Sequence, residues 1–105
     1  MAWYSYVLDL LAGAFLANGV PHFVQGISGN PFQSPFAKPP GIGESPAEVN
    51  VAWGFANFMA GGLLLHFFWP VGPGAAIGWS LVALGGFLLS MQMASHFSKV
   101  RAKKV

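Results

Sequence analysis

The sequence predicts an all-α integral membrane protein with three transmembrane helices. Residues 2–24, 47–70 and 74–97 are apolar stretches, each long enough for a hydrocarbon core of about 30 Å, which takes about 20 helical residues. Only 8% of the 105 residues are charged and 54% are hydrophobic, whereas a soluble domain carries about 25% charged residues. Such a chain has too little polar surface to cover itself in water, a need that lipid removes. What remains is one proline- and glycine-rich loop, 25–46, and a basic tail, 98–105, so residues 1–105 read as a single domain.

Trp3, Tyr4 and Tyr6 open the first span, and no Lys or Arg precedes it. The run holds Asp9, and Ala12, Gly13 and Ala14 recur without a clear cleavage site, which favours a retained helix over a cleaved signal peptide. The loop carries Pro31, Pro35, Pro39, Pro40 and Pro46 with Gly26, Gly29, Gly41 and Gly43. Proline lacks a donor and fixes φ, and glycine is too free, so neither a helix nor a central strand is expected there. A plain solvated linker seldom holds Phe23, Ile27, Phe32, Phe36 and Ile42. Loops this long are functional or disordered. We expect an ordered one at the interface, its phenylalanines against lipid or a partner.

Ser45-Pro46-Ala47-Glu48 predicts a capping box at the start of the second span, with Ser45 at the N-cap, Pro46 at the first helical position and Glu48 at the third. Gly72-Pro73-Gly74 breaks the chain again, and so short a turn predicts that the second and third spans form an antiparallel hairpin.

Basic residues near span ends favour the cytoplasm. Lys99, Arg101, Lys103 and Lys104 follow the third span, and Lys38 lies in the loop; three spans put both on one side. Beside a span, this basic tail reads as a topology signal before a nucleic-acid contact. Trp and Tyr prefer the interface, and Trp3-Tyr4-Tyr6, Phe67-Phe68-Trp69 and Trp79 all fall at the opposite face. The expectation is a multi-pass protein of a bacterial inner membrane, N-terminus outside and C-terminus cytoplasmic.

Helices in lipid associate through close packing at small residues and through interhelical hydrogen bonds. The second span carries Asn50, Gly54, Asn57, Gly61 and Leu64 at alternating steps of four and three residues, one helix face. The third carries Ala75, Gly78, Val82, Gly85, Leu89, Gln92 and His96, and the first Ser5, Asp9, Ala12, Gly13 and Ala17. Three seams suit a compact three-helix bundle. Packing is the ordinary use of such stripes; the functional reading is that part of a seam faces a cofactor, a substrate path or another protein. Asn50, Gly54, Asn57, Gly61, Gly78 and Gly85, with Phe32 and Phe36 in the loop, are the candidate packing or partner interface.

Glu48 aside, at the capped start of the second span, Asp9 is the one acid inside a span, and a charge at membrane depth is a functional-site hypothesis by default. It lies only about 10 Å past the helix start at about 1.5 Å per residue. A place near the outer headgroups, or a hydrogen bond to Ser5 or a neighbouring helix, is preferred over a proton relay. His22, His66 and His96 show no metal-ligand spacing. His22 and His96 share the inner end, where a two-ligand site stays open as an alternative to interfacial hydrogen bonding. Cysteine is absent, which excludes disulfides, a thiolate nucleophile and iron–sulfur or zinc–thiolate sites. No phosphate loop, nucleophile elbow, paired carboxylates or dinucleotide fingerprint is present. The sequence therefore predicts no catalytic residue, no metal site and no enzyme.

One pattern is specific: Ala17-Asn18-Gly19-Val20-Pro21-His22-Phe23-Val24-Gln25-Gly26-Ile27-Ser28-Gly29, followed by Pro31-Phe32, Pro35-Phe36, Pro39-Pro40-Gly41 and Asn50-Val51-Ala52-Trp53-Gly54. On these residues, and over roughly residues 10–65, the chain resembles a group of short inner-membrane proteins of alphaproteobacteria. Within that group it resembles the protein W family, accessory polypeptides of purple bacterial reaction centre–light-harvesting 1 complexes. The resemblance implies a protein in the gap of the core antenna ring, which stops closure and leaves quinones an exit. Such a protein needs no cofactor of its own and contacts the bacteriochlorophyll or quinone of its partner. No ligand motif carries over, so cofactor-binding residues stay unassigned.

The expected function is thus that of a non-catalytic accessory subunit packed against a larger membrane complex. The rival is a small oligomeric transporter or channel built around Asp9 and the Asn50/Asn57 stripe, with a small membrane enzyme third.

Overall fold

Helix α1 (Trp3–Ile27) lies between two others, α2 (Ala47–Phe67) and α3 (Ala75–Ala102). The computed structural model describes residues 1–103; Lys104, the last of the predicted basic residues, lies outside them. The three helices form a rod of 50 × 24 × 20 Å. α2 runs antiparallel to α1 and α3 parallel to it, as the facing residues show: Gly19 meets Gly54 and Gly26 meets Ala47, while Gly85 meets Leu10 and Gly86 meets Gly13.

Two segments, Trp3–Ile27 and Gly72–Ala102, are long and apolar enough to cross a membrane. α2, at 21 residues, is not among them; its sequence gives places to Glu48, Asn50, Asn57 and His66.

The interior is made of small and polar residues. Among the described residues only Ala12, Phe32, Met93 and Val100 form a buried apolar set, whereas Asp9, His22, Gln33, Asn50 and Asn57 are buried and Leu11, Phe15, Phe55, Met59, Leu63, Phe87 and Met91 are exposed. A water-soluble protein shows the reverse distribution. Contact between backbones holds these helices together, and glycine permits it. A Cβ on Gly13 would run into the Val82 carbonyl, and one on Gly85 into the Leu10 carbonyl. On the α2 side, a Cβ on Gly54 would stand 2.7 Å from the Phe23 nitrogen and one on Gly26 2.8 Å from the Ala47 oxygen.

Each helix was expected to share in one compact bundle, with α2 and α3 as a hairpin. The structure corrects this: α2 and α3 each pack along α1 and make almost no contact with one another. α2 has one seam of small residues, and α1 occupies it. The connection between them is a 3₁₀ turn over Gly72–Gly74, with Gly72 at φ +70.

The helix ends also differ from expectation. α1 continues through Pro21 to Ile27 and closes with Gly29 at φ +80. There the Asn30 N–H donates to the Gln25 carbonyl (2.9 Å) and the Gly29 N–H to the Gly26 carbonyl (3.0 Å), the paired bonds of a Schellman motif that only a left-handed residue allows. α3 continues to Ala102, so residues 98–102 of the expected tail are helical; Lys99 and Arg101 in its last turn suit the negative end of the helix dipole. α2 stops at Phe67 because Pro70 disfavours helix in the residue before it. The capping box does not form: Pro46 is the N-cap, and the Ser45 hydroxyl is 2.5 Å from that of Ser34. Ser45 belongs instead to a two-residue antiparallel pair, β1 (Phe32–Gln33) with β2 (Glu44–Ser45), which closes the loop at its base.

Trp3, Tyr4, Phe68, Trp69 and Trp79 gather at the end away from the loop. Tyr4 meets Phe68 edge-on at 6.2 Å and Trp69 meets Trp79 at 4.8 Å.

Candidate functional site

The loop end of the rod is organised by Asn50, in the first turn of α2 and fully buried. Its amide nitrogen donates toward the carbonyls of Phe32 (3.1 Å), Ser45 (3.1 Å) and Pro46 (3.2 Å). Its oxygen lies 2.9 Å from His22 Nδ1 on α1. Because the amide nitrogen is the donor to the carbonyls, the oxygen accepts, and Nδ1 carries the ring proton. One side chain thus ties the β pair, the start of α2 and the end of α1. A second asparagine repeats the device: Asn18 on α1 donates to Asn57 Oδ1 (2.9 Å), and Asn57 donates to the Trp53 carbonyl (2.8 Å). On the third side, His96 Nε2 on α3 donates to the Gly41 carbonyl at 2.7 Å and fastens the loop tip.

Under the fastened loop is a cavity of about 350 Å³ whose walls include His22, Gln33, Trp53, Gln92 and His96. Gln33 is 1% exposed, yet neither amide atom has a hydrogen-bond partner among the described residues; the Trp53 Nε1 is likewise buried and unpaired among them. With Nδ1 of His22 given to Asn50, Nε2 is left for a further partner. A second cavity of about 280 Å³ adjoins the first at Asn18 and Trp53, and Leu11, Phe15 and Leu89 line its far part. Both open between α2 and α3, which stand apart.

The candidate residues of the α2 stripe, Asn50, Gly54, Asn57 and Gly61, are all buried, and all four contact α1 or its hydrogen-bonding groups. Gly78 and Gly85 are the buried glycines of α3; a Cβ on Gly78 would stand 2.9 Å from Asp9 Oδ2. Lower on α3, burial shifts from the expected Gln92 to Met93 and Val100. Asp9 makes no hydrogen bond to Ser5. It is 0% exposed, and neither carboxylate oxygen has a hydrogen-bond partner among the described residues.

The two loop phenylalanines divide. Phe36 is 63% exposed, its ring edge-on to Trp53 at 5.1 Å. Phe32 is not an outward anchor: it is buried, 4.8 Å from the Phe97 ring and 5.4 Å from the Arg101 guanidinium. Strand pairing turns it inward onto His22 and α3.

His22 and His96 do come to one cavity, though His66 lies far off beside Phe67; no three His, Asp or Glu residues converge to hold a metal among the described residues. Sequence reasoning missed Gln33, Trp53 and the glycines Gly19 and Gly26. The glycines had a signal: Ala12, Gly19 and Gly26 recur every seven residues, as do Asn50 with Asn57, Gly54 with Gly61 and Gly78 with Gly85. That interval returns to nearly the same helix face. No family model matches this chain, and no curated protein or solved structure does.

Proposed function

We propose that this chain is a three-span protein of a bacterial inner membrane and acts as a non-catalytic accessory subunit of a larger membrane complex. Polar and small residues inside, with large apolar residues outside, support the membrane reading. At about 1.5 Å per residue, α2 is about 31 Å long, which suits a third span. The basic residues Lys38, Lys99, Arg101 and Lys103 at the loop end, with the aromatic clusters at the other, support an outer N-terminus and a cytoplasmic C-terminus.

The observation that carries the accessory role is Phe36. A large ring stands 63% exposed on a loop that three side chains hold in place. Holding an aromatic anchor ready lowers the ordering cost of binding, and such anchors dominate many interfaces. The resemblance to the protein W family makes the proposed partner a core antenna ring around a photosynthetic reaction centre. Gentle solubilisation and native mass measurement test the role: the protein should co-migrate with a large complex, and Phe36→Ala should release it. In a deletion strain the ring should close and quinone exchange slow, with light capture intact. An unchanged ring and unchanged exchange would end the antenna reading.

A second reading, the oligomeric transporter, draws support from the unpartnered Asp9. A discrete homo-oligomer, with a proton-coupled flux in vesicles that Asp9→Asn abolishes, would make it the better one.

A further inference from the structure

We propose that the cavity under the loop binds the head of a neutral membrane amphiphile: an uncharged group bearing hydroxyl or carbonyl oxygen, on a hydrocarbon tail. The inference is independent of the accessory role. It rests first on polar groups that folding has buried and left unpaired. Both amide atoms of Gln33, which is 1% exposed, and the indole N–H of Trp53 lack partners, and both residues line the cavity. Buried polar groups are nearly always satisfied, so a site holding two such residues is built for something that completes it.

The available atoms define the head. Trp53 Nε1 offers a donor only, and Gln33 a donor and an acceptor. His22 Nδ1 donates to Asn50, so the neutral form of the ring would present Nε2 as an acceptor. A hydroxyl satisfies both kinds at once, and a carbonyl oxygen satisfies the donors. The cavity wall contains no Asp, Glu, Lys or Arg; a phosphate or carboxylate would find no counter-charge there, and burying an unpaired charge is costly.

The shape defines the tail. The adjoining cavity begins at Asn18 and Trp53 and continues between Leu11, Phe15 and Leu89 toward the middle of the rod. Polar end and apolar trough together follow one side of α1, open because α2 and α3 barely meet. The head cavity of about 350 Å³ falls in the range of about 300–1,000 Å³ usual for small-molecule sites.

The test uses the full chain in phosphatidylcholine nanodiscs, with the Trp53 indole N–H followed by NMR. Three probes are titrated: dioctanoylglycerol, a decyl-substituted hydroquinone, and dioctanoyl phosphatidic acid, which shares the first probe's tails but has a charged head. Saturable binding of either uncharged probe, with a shift of the Trp53 indole resonance, is expected, and which of the two binds identifies the source of the head. Phosphatidic acid should bind at least tenfold more weakly. Gln33→Leu should weaken binding about tenfold; should that variant not fold, Trp53→Phe, which keeps a ring and removes the N–H, should do the same. Three results would each overturn the proposal: no saturable binding of an uncharged probe, equal binding of phosphatidic acid, or an indole N–H that contacts only water at every probe concentration.

Discussion

Replacing Gly54 by alanine puts a methyl group where α1 already stands. The new carbon would lie 2.7 Å from the Phe23 nitrogen, 2.9 Å from the Gly19 oxygen and 2.9 Å from the Phe23 Cβ. Two of these are backbone atoms and the third is fixed to it, so the helices must part. Overpacking of this kind costs about 1–3 kcal/mol. Gly61→Ala should cost less, because its two nearest neighbours, at 2.7 and 2.8 Å, are Cγ and Cδ2 of Leu16, a side chain that can rotate, and the backbone oxygen of Ala12 is farther, at 3.0 Å. Gly62 has nothing within 4 Å of its would-be Cβ, and alanine there should gain about 0.5–1 kcal/mol of helix propensity. The outer two variants should therefore differ by about 1.5–4 kcal/mol, or roughly 6–16 °C in Tm at about 4 °C per kcal/mol. Thermal unfolding followed by circular dichroism in one detergent measures all three. Gly54→Ala matching the parent, or Gly62→Ala falling as far as Gly54→Ala, would mean that α2 turns another face to α1 and would refute the reasoning.

Asn50→Ala strands His22 Nδ1 and takes the side-chain donor from the Phe32 and Ser45 carbonyls, while the Pro46 carbonyl keeps its backbone bond; since each unsatisfied buried group costs about 1–3 kcal/mol, amide exchange across 32–45 should rise at least tenfold, and unchanged exchange there would deny Asn50 its organising role. Phe32→Ala removes a buried ring and should cost about 3–5 kcal/mol, whereas Phe36→Ala, on an exposed ring, should stay within about 0.5 kcal/mol of the parent; equal losses would place both rings in the same environment. Asp9→Asn keeps the shape and removes an ionisable group that has no partner, so Tm should hold or rise; a fall of more than about 5 °C would reveal an interaction that the carboxyl alone makes.

Much of the helical layout is legible in the sequence, because hydropathy and the seven-residue recurrence of small residues are local signals. Gly54 and Gly61 declare a seam in the order of letters alone. What the seam faces is not local. Each helix shows one stripe, but α1 uses two sides, Gly13 toward α3 and Gly19 and Gly26 toward α2, and no periodicity in α2 or α3 announces that both prefer α1 to each other. The site is less legible still. Asn50 reads as one member of a stripe, yet its partners are Phe32, Ser45, Pro46 and His22, chosen by how the loop folds back. The same fold-back defeats the capping box, since Ser34 takes the Ser45 hydroxyl, and hides Phe32 while leaving Phe36 outside.

The middle position of α1 bears on how such a chain is made. On the proposed three-span reading, translation delivers α1 before either neighbour, so Asp9, Asn18 and His22 would enter the bilayer with their protein cover still unsynthesised. α2 then brings Asn57 to Asn18 and Asn50 to His22, and α3, coming last, brings Gly78 against Asp9. Biogenesis is thereby divided into two docking events on one template. The first pairs amides and an imidazole and can proceed while α3 is still in the ribosome. The second covers the lone carboxyl and pins the loop tip through His96. A chain halted between the two would carry its α2 contacts complete and its Asp9 uncovered, a distinct target for membrane quality control.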